Sequence, residues 1–164
     1  MQSQWRTLTL GVVLALAAVL AADALKASAQ ATDPRIGTWK MNPAKSKYDP
    51  GPAPQSLTVK VEPAGQGEKV TAEFVNADGT RATTVYTASF DGKDSPLTGS
   101  QIANTVALKR VDPRTTVRTD KKDGKVVQTL TRVVGPDGKT MTVTVKGTNA
   151  KGQPVSNVVV FDKQ

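Results

Sequence analysis

From Leu57 to the end of the chain one pattern recurs: short runs in which apolar and polar residues alternate, separated by pairs ending in glycine. Leu57, Val59 and Val61 alternate with Thr58, Lys60 and Glu62. Val70, Ala72 and Phe74 alternate with Thr71 and Glu73, and Ala82, Thr84, Tyr86, Ala88 and Phe90 form the next row. Met141, Val143 and Val145 against Thr140, Thr142, Thr144 and Lys146 are the cleanest case. Period two places successive side chains on opposite faces, so each run predicts a strand with one covered and one wet face. Further strands are expected at 104–111, 115–121, 125–134 and 154–162. Asp78-Gly79, Asp91-Gly92, Asp123-Gly124, Asp137-Gly138 and Lys151-Gly152 separate the runs. Such pairs suit tight hairpins, because glycine takes the required positive φ cheaply.

No window after the first thirty residues holds a helical period over ten residues. The expected fold is therefore all-β: a single antiparallel up-and-down β-barrel of about 8–9 strands, whose closure removes the exposed edges. A two-layer β-sandwich is the alternative. An outer-membrane barrel would need an apolar outer face with aromatic girdles. Here the faces opposite the apolar rows carry Thr, Lys and Glu, and the chain ends Phe161-Asp162-Lys163-Gln164, so no span of a membrane is expected after the leader is removed.

Residues 1–29 read as that leader, a helical secretory signal peptide. Arg6 precedes the apolar stretch Leu8–Ala22, and Ala27-Ser28-Ala29 is a small-x-small cleavage signal. Residues 30–164 then form one domain, with 42–55 as a Pro-rich arm, and the expected location is periplasmic or secreted. The chain has no Cys and no His, so an exported domain must rely on packing and hydrogen bonds in place of disulfides. The formal charge of +8 becomes +7 once Arg6, Lys26 and Asp23 leave with the leader. A basic exported protein meets anionic envelope surfaces, although a plain solvated face explains the same residues. Nucleic acid is not expected as a partner, since the few aromatics supply no row of stacking platforms.

The segment "RIGTWKMNPAKSKYDPGPAP", Arg35 to Pro54, spends the sole tryptophan of the mature chain on its first strand. Gly37 permits close backbone approach, and the Trp39 indole can cover the bottom of a barrel. Glycine-x-tryptophan on a first strand resembles the lipocalins and the neighbouring fatty-acid-binding proteins, together the calycin barrels. The pattern "GTWKMNPAKSKYDPGPAP" with "GKTMTVTVKGTNAKGQ" is most similar to exported, uncharacterised bacterial lipocalin-like proteins. "TLTRVVGPDGKTMTVTVKGT", Thr129 to Thr148, resembles the late hairpin of fatty-acid-binding proteins. That resemblance implies that Arg132 would hold a ligand carboxylate. The chain departs from the family where Val159 and Phe161 stand at the positions of its second arginine and its tyrosine. Pro43, Pro50, Pro52 and Pro54 replace a helical lid with an extended arm. Tyr48 would anchor that arm over a barrel mouth, or the arm simply bridges the first two strands.

Catalysis is poorly supplied. Without His or Cys the usual bases, nucleophiles and soft-metal ligands are missing, and Asp78, Asp91, Asp123 and Asp137 are accounted for by their turns. The expectation is a non-enzyme with no catalytic residue, no metal and no cofactor. Inward polar groups are the other resource. Arg110 is in phase with Val106 and Leu108, Arg132 with Leu130 and Val134, and Asn157 with Val155 and Phe161. With Trp39, Tyr86 and Phe161 these would make a pocket for a small, partly apolar ligand, anionic if Arg132 meets it. Either arginine could instead lie at the rim, and Tyr86 could be a core ring. The competing reading is a filled barrel that works as an envelope-associated module through its basic surface. Oligomeric state is not legible.

Overall fold

The computed structural model describes residues 33–164; the leader expected over 1–29 lies outside them. Ten antiparallel strands follow in order: β1 (Gly37–Met41), β2 (Ser56–Ala64), β3 (Gly67–Val75), β4 (Arg81–Ser89), β5 (Asp91–Thr98), β6 (Thr105–Arg110), β7 (Thr115–Lys122), β8 (Lys125–Val134), β9 (Thr140–Thr148) and β10 (Pro154–Lys163). Each pairs with its sequence neighbour, and β1 also pairs with β10, so the sheet closes. The sandwich alternative is thereby excluded. The apolar rows point inward as the alternation requires. Val61 faces Val70, Val70 faces Tyr86, and Val143 faces Val159 across their ladders.

The strand count exceeds the expected eight or nine because β5 carries no periodic signal. Its sequence DGKDSPLT has a single large apolar residue, Leu97, and its proline removes a ladder donor. Only Val85–Thr98 and Tyr86–Leu97 join it to β4, and a bulge between Asp91 and Asp94 interrupts its pairing with β6. Asp91-Gly92 therefore belongs to this strand's start instead of to a free turn.

Elsewhere the punctuation acts as expected. Asp123 and Gly124 have φ of 50° and 78°, which gives the two-residue turn the hand that matches strand twist. At Gly67 a Cβ would run into the carbonyl of Ala88, so the β3–β4 backbones can approach there only because the residue is glycine.

The arm closes a gap in the seam. β1 covers only the Phe161–Lys163 end of β10. A 3-10 turn, Pro43–Lys45, capped by the Asn42 side chain, then redirects the chain. Lys47 exchanges two backbone bonds with Val158, at 2.7 and 2.9 Å, and Ser156 donates to the Asp49 carbonyl at 2.7 Å. The arm thus takes over the β10 edge where β1 ends. Tyr48 donates its hydroxyl to Met41 Sδ at 3.2 Å, and burial pushes its phenol up to about 12.

Candidate functional site

The barrel encloses a cavity of about 590 Å³. Most of its wall is aliphatic or aromatic, with Leu57, Val59, Phe74, Leu130 and Val159 among its members. Tyr48, Pro52 and Pro54 of the arm and the Asn76–Asp78 turn line its mouth. Small inward residues explain the hollow: the rows are rich in Val, Ala and Thr, which do not meet across the bore.

A set of charged side chains crosses the bore. Glu68 on β3 is 1% exposed and Arg132 on β8 is also buried. The Arg132 Nη2 donates to Glu68 Oε1 and, at 2.7 Å, to Oε2. These strands are far apart in the closed order, so the pair spans the bore. Tyr86 on β4 donates its hydroxyl to Glu68 Oε1 at 3.0 Å. The Arg132 Nε donates to Thr116 Oγ1 at 3.0 Å across the β7–β8 ladder. From below, Arg35 Nη1 lies 3.9 Å from Glu68 Oε2. Burial, and then the Glu68 charge, push the Tyr86 phenol up to about 12. Burial works against the Arg132 charge, but the Glu68 carboxylate outweighs it and holds the guanidinium above its ordinary pKa.

A second ion pair lies on β7. Arg118 Nε and Nη2 donate to Asp120 Oδ1 and Oδ2, both at 2.6 Å, in a two-pronged arrangement. Asp120 is 2% exposed and the Arg118 side chain 20%, and both line the cavity. The Arg118 guanidinium rests 5.1 Å from the centre of the Tyr86 ring. The two clusters together hold three guanidinium groups against two carboxylates.

The residues proposed from sequence divide into two sets. Tyr86, Arg132, Asn157 and Phe161 line the cavity. Arg132, expected to be open to an anion, already has Glu68 as its partner. Asn157 accepts from the Asp49 N–H at 2.9 Å and so tethers the arm. Trp39 and Arg110 are not among the lining residues. Trp39 is fully buried in the core, where its indole N–H donates to the Arg35 carbonyl at 2.9 Å and Lys163 covers its ring. Arg110 has inward parity but ends β6, where the inward row leaves the barrel. It is exposed, with its guanidinium 4.6 Å from the Phe90 ring centre. Arg35 meets the same ring at 4.5 Å.

Sequence reasoning passed over Glu68, Arg118, Asp120 and Arg35. Glu68 was accessible to it, being two residues before Val70 and therefore on the same face. Among the described residues no group of three or more His, Cys, Asp or Glu could hold a metal ion, and no helix is long and apolar enough to cross a membrane. Compared with known proteins, the chain matches no family model, no curated protein and no solved structure. The closed antiparallel barrel is compatible with the calycin architecture.

Proposed function

We propose that this is an exported, non-enzymatic barrel of the lipocalin kind that carries a small, partly apolar molecule in its interior. The observation that carries the reading is the 590 Å³ hollow, apolar over most of its wall with a few charged groups, Arg118, Asp120 and Arg132, set into it. Its size lies within the roughly 300–1,000 Å³ typical of small-molecule sites, and so does its lining of apolar wall with a few fixed polar groups. Leu57, Phe74, Leu130 and Phe161 would pack the ligand body, and Tyr86, Arg118 and Arg132 would face its polar end. Export rests on the leader, and the lipocalin likeness rests on Gly37-Thr38-Trp39-Lys40 at the start of a closed meander. An anionic end is the weaker half of the sequence reading, because the arginine on which it rested has an internal carboxylate.

The competing surface reading draws on the +7 formal charge that remains once the leader is removed. The hollow favours the interior, since a module acting by its surface has no use for one. Titration of the purified protein with the neutral dye N-phenyl-1-naphthylamine separates them. A saturable, blue-shifted signal that persists at physiological ionic strength is expected. Binding restricted to anionic vesicles and lost as salt screens the surface would favour the surface reading, and no saturable dye signal would sink the carrier.

A further inference from the structure

The Arg118–Asp120 pair is a largely buried ion pair set into the wall of a ligand-sized cavity, and its chemistry limits what can lie against it. Asp120 takes its two hydrogen bonds from Arg118 alone among the described residues, one on each oxygen. Each carboxylate oxygen retains acceptor capacity beyond that bond. Arg118 spends Nε and Nη2 on the pair, and its Nη1 stays outside it. One stretch of wall therefore presents acceptors and donors side by side. Beyond it, Arg132 has its Nη2 committed to Glu68 and its Nε to Thr116.

A bare carboxylate placed here would meet the Arg118 guanidinium only beside the Asp120 charge. It would gain one partner, approach a like charge, and lose its water. A head group that both donates and accepts satisfies both halves of the pair without bringing in a charge. The cost of mismatch is asymmetric, since a buried donor or acceptor left without a partner is expensive.

We infer that the ligand taken in this cavity carries a neutral head with both a hydrogen-bond donor and an acceptor, of the primary-amide class, read by Arg118 and Asp120. The inference rests on the carrier reading above, and the experiment separates the two. Octanamide, octanoate and 1-octanol share one chain and differ in head group. Each is used at neutral pH to displace N-phenyl-1-naphthylamine from the purified protein and from Asp120→Asn. In the unaltered protein, octanamide is expected to displace the dye at a concentration about tenfold below that of octanoate, which corresponds to about 1.4 kcal/mol. Asp120→Asn removes the like charge and frees Arg118, so the order should reverse, with octanoate gaining and octanamide losing. Dye binding by the variant reports that the barrel is intact.

Octanoate ahead of octanamide in the unaltered protein would overturn the inference, as would equal displacement by all three compounds. So would an order unchanged in Asp120→Asn. In each of those cases the carrier reading survives, because the dye still binds and is still displaced. No dye binding at all would overturn the carrier reading itself.

Discussion

Around Glu68 and Arg132 the interior is charged and bonded across the bore, whereas around Leu57, Phe74 and Leu130 it is apolar and hollow. The same strands build both regions. β3 contributes Glu68 to one and Phe74 to the other, and β8 contributes Arg132 and Leu130. The difference lies in what each region asks of its side chains. In the charged region Glu68 and Arg132 hold each other, and loss of either leaves an opposite charge buried in a low dielectric. In the hollow region the side chains face space that none of the described residues fills, so their removal opens little that was closed. Stability should therefore be concentrated in the polar side and ligand capacity in the apolar side.

The comparison breaks first at Glu68. Glu68→Gln keeps the shape but leaves Arg132 facing Arg35 without the carboxylate between them, and should cost about 3–5 kcal/mol in chemical denaturation. Leu130→Ala, in the hollow, should cost less than about 2 kcal/mol, below the usual range for a packed leucine. Equal losses would mean that the two regions are not distinct.

Tyr86→Phe sharpens the point. It removes one hydrogen bond to an ionised carboxylate, for an expected loss of about 1.5–3 kcal/mol. It should also change the alkaline limb. The Tyr86 phenol is raised from 10 to about 12 in the folded protein, so between those values the unfolded chain releases a proton that the folded one keeps. Stability is thus unaffected by this group below pH 10 and falls as pH rises from 10 toward 12. In Tyr86→Phe that slope should be smaller by about one proton. An identical slope in both proteins would show that the phenol is not held by its burial and by Glu68.

The smallest effect belongs to the arm. Asn157→Ala removes the side-chain acceptor for the Asp49 N–H while the Lys47–Val158 pairing stays. A loss of about 0.5–1.5 kcal/mol is expected, with faster release of a bound dye in stopped flow. A larger stability loss with unchanged release would make the arm a structural seam and nothing more.

The closed meander was legible because alternation and Asp-Gly punctuation act locally, on neighbours within one hairpin. β5 was not, since its pairing is imposed by β6 and by two residues of β4 against a polar, Pro-containing sequence. The charged cluster was only half legible. Arg132 has apolar neighbours two residues away on its own face, and Glu68 has Val70. Arg118 and Asp120 gave no such sign, because the apolar residue of that strand, Val117, lies on the opposite face. The inward row of β7 is Thr116, Arg118 and Asp120, and a rule that assigns the apolar row to the interior picks the wrong side. Its true face follows from register, with Arg118 opposite Leu108 on β6 and Leu130 on β8. The Glu68–Arg132 partnership, 64 residues apart, exists only once the sheet has closed.

Whether the hollow is a binding site is tested most directly by filling it. Leu130→Trp places an indole in the cavity, opposite Arg118 on the neighbouring strand. The account predicts a denaturation midpoint within experimental error of the unaltered protein, together with at least a tenfold loss of N-phenyl-1-naphthylamine affinity. Undiminished dye binding by the filled barrel would contradict it.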